Sequence, residues 1–174
     1  MALTQIIGSG ISGVTVGNFI TEVDVFRLTA NQSGGTDADI TSNLERVDDA
    51  SFSKIGTGIT NSSGVFTFPS TGIYYCSING GFYRGTGYRR YIGWTIKTTS
   101  DNSSYTHAVI NYDSISGDTN SNVSAAVSAT CVFDVTDTST HKMTFQTDAV
   151  DSGAAVTGVS GRYANVLFIR LGDT

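Results

Sequence analysis

The side chains able to do chemistry are few and scattered. The two histidines, His107 and His141, fall in different extended stretches and in no nucleophile or metal motif. Each is expected on a polar strand face rather than as a general base. Carboxylates come in close pairs, Asp37 with Asp39, Asp48 with Asp49 and Asp134 with Asp137. Glycoside hydrolysis needs two carboxyls placed across a cleft, and adjacency in sequence does not supply that. Asp37-Ala38-Asp39, in a Gly- and Thr-rich stretch, is the better candidate for a hard cation such as calcium. Solvated loop charge is the favoured reading, so neither a metal nor a cofactor is expected. Gly8-Ser9-Gly10 precedes no predicted helix, which a nucleophile elbow requires, and has no lysine nearby for a phosphate loop. Cys76 and Cys131 match no metal-ligand spacing. No catalytic residue is expected, and the chain reads as a non-enzyme.

The most distinctive polar feature lies at residues 83–91. Tyr83, Arg84, Tyr88, Arg89, Arg90 and Tyr91 gather three of the ten basic residues with three tyrosines. Tyrosine and arginine dominate binding hot spots, stack on sugar faces and pair with anionic groups. A cell-surface glycan or an acidic partner protein would suit them. The competing readings are an ordinary exposed hairpin and a subunit contact.

These groups need a scaffold, and composition limits its kind. The chain has 174 residues, enough for one domain with a substantial core. Charged residues are 14%, Gly numbers 20 and Pro appears once, which suits short strands joined by many turns. The net charge of -5 makes nucleic acid an unsuitable partner. No apolar run approaches the ~20 residues of a membrane helix, so no membrane insertion is expected. Residues 1–9 carry no Lys or Arg and no long apolar stretch, so a secretory signal is not expected and the chain reads as made in a cytoplasm.

Hydrophobicity repeats with period two. Across residues 123–135, Val123, Ala125, Val127, Ala129, Cys131, Phe133 and Val135 alternate with mostly polar neighbours, as in a strand with one apolar face. Similar stretches occupy residues 23–30, 52–55, 65–68, 73–83, 90–98, 105–115 and 142–148. Residues 163–171 hold Val166, Leu167, Phe168 and Ile169 in near-continuous succession, which suits burial on both faces. Turn signals separate them at Asn61-Ser62-Ser63-Gly64, Pro69-Ser70-Thr71-Gly72, Ser116-Gly117-Asp118 and Asp137-Thr138-Ser139. No dozen residues read as an amphipathic helix. Nine or ten strands at this spacing predict a sandwich or jelly roll. Residues 6–19 are uncharged, apolar and Gly-punctuated, and read as a segment that adds a strand or docks elsewhere.

The central stretch carries a family resemblance. Phe52-Ser53-Lys54-Ile55-Gly56-Thr57-Gly58-Ile59, followed by Gly64, Phe66, Pro69, Gly72, Tyr74 and Tyr75, resembles the globular head of complement component C one q and the related tumour necrosis factor fold. The resemblance extends over residues 23–173. Residues 134–145 are similar to that superfamily's strand, acidic turn and strand, and residues 161–171 to its final strand. It implies an all-β, ten-stranded antiparallel jelly roll assembled as a homotrimer, with residues 23–174 as the domain and 1–22 as an attachment segment. It further implies a subunit interface that uses Tyr74, Phe82 and Phe168, and it sets the strands of Cys76 and Cys131 side by side. Both cysteines are in phase with the apolar face and are expected as free thiols.

The stretch from Ser42 through Tyr75, and the opening Met1-Ala2-Leu3-Thr4-Gln5-Ile6, are also similar to virion proteins of tailed phages, marine and cyanobacterial ones especially. No collagen-like Gly-x-y stalk precedes the head. The expected function is therefore a structural knob on the outside of a phage head or tail, as capsid decoration or fibre. Ile6, Ile7, Ile11, Val14, Val16 and Phe19 would fix it to other virion proteins. The alternatives are a glycan-binding adhesin at a fibre tip and a secreted complement-like recognition protein.

Overall fold

The computed structural model describes residues 20–35, 37–50, 52–84, 87–117, 123–148, 150–156 and 163–174. The proposed attachment residues Ile6, Ile7, Ile11, Val14, Val16 and Phe19 lie outside the described residues. Every regular element is a strand: β1 (Val23–Leu28), β2 (Gln32–Gly35), β3 (Ala38–Asp39), β4 (Leu44–Arg46), β5 (Thr60–Ser62), β6 (Val65–Thr67), β7 (Gly72–Arg84), β8 (Gly87–Thr99), β9 (Thr106–Gly117), β10 (Val123–Val135), β11 (Lys142–Asp148), β12 (Val150–Val156) and β13 (Ala164–Gly172). Among the described residues, no helix is long and apolar enough to cross a membrane.

The strands pair into two antiparallel sheets. In the seven-stranded sheet, β7 is flanked by β10 on one edge and by β13 and β12 on the other; β13 leads on to β1 and β4, and β12 to β2. The six-stranded sheet runs β5-β6-β11-β8-β9, with β3 also on β11. This is a jelly-roll sandwich whose described residues form thirteen strand segments rather than ten. The extra pieces are short, because Gly- and Ser-rich stretches pair for only two to four residues at β2 and β3. Residues 52–55 do not form the expected strand; they contribute only isolated bridges, Val23 with Ile55 and Asp49 with Phe52.

Alternation puts one face of each strand into a shared core. Phe66 sits at its centre, 5.2 Å from Phe26, 5.3 Å from Phe145 and 5.1 Å from Phe168, ring centroid to centroid. Phe82 packs on Trp94 at 4.8 Å, and the indole Nε1 donates to the Val127 carbonyl at 3.1 Å, so its polar edge is satisfied inside the core. Gly80 lets the indole reach the sheet, because a Cβ there would stand 2.6 Å from Trp94 Cζ2.

The motif residues have local reasons. The β5–β6 turn is Ser63-Gly64, with φ of 49° and 83°, a two-residue primed turn that matches strand twist. The Gly64 amide donates to Asn61 Oδ1 at 3.0 Å. After the Pro69 turn, the Tyr74 hydroxyl donates to the Ser70 carbonyl at 3.0 Å. The 52–59 stretch is held by two buried carboxylates. Glu22 accepts from the Thr57 and Gly58 amides at 3.0 and 2.9 Å, and Asp24 accepts from the Ile59 amide at 2.7 Å and from the Arg46 guanidinium at 3.0 Å. Glu22 also accepts from the Arg170 amide through its carbonyl.

The structure corrects one set of residues. Tyr74, Phe82 and Phe168, expected at a subunit interface, are 0%, 0% and 1% exposed within a single chain. They take the inward phase of β7 and β13 and form the core. A strand's period of two makes the two faces interchangeable in the sequence, and here the inward face is the more aromatic one.

Candidate functional site

Two outward faces remain, one on each sheet. On the seven-stranded sheet, the residues in phase opposite to the core form cross-strand rows. Ile55 bridges Val23, Val23 pairs with Ile169, Ile169 with Tyr75, and Tyr75 with Val132. This apolar row spans β1, β13, β7 and β10 in register. Val132 is 62% and Ile55 46% exposed, whereas Val23, Tyr75 and Ile169 are half-buried by their neighbours. The next row, Val25, Leu167, Ser77 and Thr130, is mixed. The third, Arg27, Asn165, Asn79 and Ser128, is polar. The apolar character is thus confined to one end of the sheet face. Leu167 and Ile169 are half-buried and Leu171 exposed, so β13 is apolar on its outward side as the sequence suggested, but one chain does not cover that side.

The 83–91 stretch is not one loop. β7 and β8 are long strands in different sheets, so this segment carries the chain from one sheet to the other. Tyr83 follows the buried Phe82 and takes the outward phase of the seven-stranded sheet. Arg84 Nε donates to the Gly87 carbonyl at 3.1 Å. Tyr88 is exposed. Arg90 lies with its guanidinium carbon 5.1 Å from the Tyr91 ring centroid. Tyr91 takes the outward face of the six-stranded sheet, where its ring lies 5.4 Å from Tyr112 of β9. Tyr83 and Tyr91 therefore lie on opposite faces of the sandwich. The Arg89 backbone pairs with Ile115.

Around that ring pair the sheet builds a polar cluster. Tyr91 and Tyr112 are 46% and 45% exposed. Tyr112 Oη donates to Asp148 Oδ2 at 2.8 Å, and Thr95 Oγ1 donates to the same oxygen at 2.9 Å. Burial, and then the bond to Asp148, push the Tyr112 phenol up to about 12. A hydrogen bond to Asp148 raises the Asp37 carboxyl above the ordinary range, and burial adds to it. A carboxyl beside a carboxylate keeps its proton because two negative charges would repel. Lys97 Nζ pairs with Asp39 Oδ1 at 2.7 Å.

The two carboxylates of the calcium candidate meet different partners. Asp37 turns to Asp148, and Asp39 is neutralised by Lys97. Among the described residues, no group of three or more His, Cys, Asp or Glu side chains is arranged to hold a metal. His107 lies on β9 opposite Lys97. His141 lies between Thr136 Oγ1 at 3.2 Å and Thr140 Oγ1 at 3.1 Å, with its ring 5.7 Å from Phe133. His107 is on a strand as expected, whereas His141 lies just before β11 and not on a strand face. Cys76 and Cys131 are directly opposed on the inward face, and both are free thiols.

Sequence reasoning missed Tyr75, Val132, Tyr112 and Asp148. Tyr75 and Val132 were legible as the alternate phase of their strands. Nothing in the sequence links Tyr112 to Tyr91, or Asp148 to Asp37.

No family model and no curated protein matches this chain. Solved structures do resemble it. Murine APRIL at pH 8.0 is 13% identical with a TM-score of 0.61, covering 86% of this chain and 98% of its own. Eiger TNF from S. frugiperda is 11% identical with a TM-score of 0.62, covering 87% of this chain and 93% of its own. At this identity the likeness concerns the fold, which is a jelly roll of the tumour necrosis factor type.

Proposed function

We propose that the chain is a non-enzymatic head domain that works as a homotrimer, with the outward face of the seven-stranded sheet as the subunit interface. The observation that carries this is the in-register row Ile55, Val23, Ile169, Tyr75 and Val132. A contiguous apolar row across four strands is unusual on a surface facing water and suits contact with another copy. The resemblance of the fold to tumour necrosis factor relatives supports a threefold arrangement in which this sheet faces the axis. The six-stranded sheet would then face outward with Tyr91 and Tyr112. Light scattering on the eluting protein tests the proposal: a trimer is expected, and a stable monomer overturns it. Ile169→Arg and Tyr75→Glu should each yield a folded monomer.

The finer reading places this trimer outside a tailed-phage particle, as a knob on head or tail that meets other virion proteins. Its support is the sequence resemblance of residues 42–75 and of the opening hexapeptide. An antibody against the domain should decorate intact particles, and labelling only of disrupted ones would refute the location. The exposed Tyr91–Tyr112 ring pair favours an additional role in contact with a host-surface glycan, since paired rings beside carboxylates suit stacking and hydroxyl recognition. Tyr91→Ala with Tyr112→Ala should abolish cell binding while leaving the trimer intact.

A further inference from the structure

β7 and β10 form the longest continuous pairing among the described strands, and Cys76 and Cys131 are partners in it. Directly opposed residues of an antiparallel pair lie about 4.5–5.5 Å apart at Cα, inside the roughly 4.4–6.8 Å window of a disulfide. Both side chains point inward: Cys76 lies between the buried Tyr74 and Ile78, and Cys131 is in phase with Ala129 and Phe133. Cys76 is fully buried, whereas Cys131 is half-buried. Among the described strands β10 forms a strand ladder with β7 alone, and Cys131 is the more accessible of the two thiols. Facing Cys76 lowers the Cys131 thiol, whereas burial raises Cys76.

We propose that Cys76 and Cys131 are a peroxide-oxidisable pair that closes into a cross-strand disulfide within one chain. Cys131 is the attacking thiol and Cys76 the resolving one. The Cys131 thiolate attacks one oxygen of hydrogen peroxide; the O–O bond breaks, and the leaving hydroxide takes a proton to become water. Cys131 is then a sulfenic acid. The Cys76 sulfur attacks the Cys131 sulfur, the S–O bond breaks, and the departing hydroxide leaves as a second water with the Cys76 proton. Two thiols and one peroxide give one disulfide and two waters. A more accessible thiol beside a resolving thiol is the arrangement that halts oxidation at the reversible disulfide.

Closure would covalently fix the register of β7 on β10. Tyr75 and Val132, the neighbours of the two cysteines, sit in that register on the outward face. The ring closed through residues 76 and 131 also encloses β8 and β9, which carry Tyr91 and Tyr112. The chain would fold with both thiols reduced in a reducing compartment and acquire the link on meeting an oxidising one. The proposal depends on the fold of one chain and not on the trimer.

The test treats the native full-length protein with a small excess of hydrogen peroxide, then quenches, denatures and alkylates it. The expected result is a loss of two hydrogens per chain and a Cys76–Cys131 linked peptide under non-reducing digestion. The oxidised protein should also melt several degrees higher and return to its starting midpoint with a reductant. Cys76→Ser should accumulate a dimedone-trappable sulfenic acid at Cys131, whereas Cys131→Ser should leave Cys76 unreacted at the same dose. The idea is overturned if both thiols remain alkylatable, if the link joins different chains, or if Cys131→Ser is oxidised as fast as the parent.

Discussion

Replacing Asp24 by alanine tests how a buried carboxylate holds this fold together. Asp24 is 1% exposed on β1. It accepts from Arg46 Nε at 3.0 Å and Nη2 at 3.0 Å, from the Ile59 amide at 2.7 Å and from the Val25 amide at 3.0 Å. It therefore joins β1, β4 and the segment leading into β5. Truncation strands the buried Ile59 amide, which costs about 1–3 kcal/mol. It also leaves the Arg46 guanidinium without its carboxylate, and breaking a buried pair from one side costs about 3–5 kcal/mol in all. The Arg46 side chain is 32% exposed, and its guanidinium lies 5.1 Å from the Phe26 ring centroid, so water and the ring recover part of the loss. The expected destabilisation is near the lower end, about 3 kcal/mol. Trp94, the sole tryptophan, is fully buried and reports unfolding by its fluorescence. With a urea m-value of about 2 kcal/mol/M, the midpoint should fall by about 1.5 M at fixed chain concentration. Asp24→Leu combined with Arg46→Met should recover much of it, because neither charge is then left unpaired. A loss below about 1 kcal/mol for Asp24→Ala, or a double variant as damaged as the single, would refute the assignment.

Three further outcomes follow from the same geometry. Asp37→Asn should be at least as stable as the parent at neutral pH. The raised Asp37 carboxyl contributes its stability in acid, below the ordinary carboxylate value, and loses it as the pH rises through the native value. The parent should therefore gain on the variant only in acid, and thermal melts across pH check this. Gly80→Ala should cost about 1–3 kcal/mol, since its Cβ would meet Trp94 and Ala164, and a shifted indole emission should accompany the lower melting point. Tyr112→Phe should remove a bond to Asp148 and the tyrosine that titrates near 12, which an ultraviolet pH titration reads directly.

The sequence by itself determined the fold class and most strand positions. β10 (Val123–Val135) was legible because its alternation is unbroken, and its burial alternates in the same way. β11 coincides with residues 142–148. The Ser63-Gly64 turn and the 52–75 motif were legible because turn chemistry is local. Tertiary structure decided which phase of each strand met the core. Tyr74 and Tyr75 are adjacent and chemically alike, yet one is fully buried and the other outward, because only the second sheet determines which side is covered. Long-range pairing likewise decided the polar cluster, in which Asp37 reaches Asp148 and the Tyr91 ring meets Tyr112. Such meetings depend on strand order and register, which antiparallel pairing sets across the whole chain and no local pattern encodes.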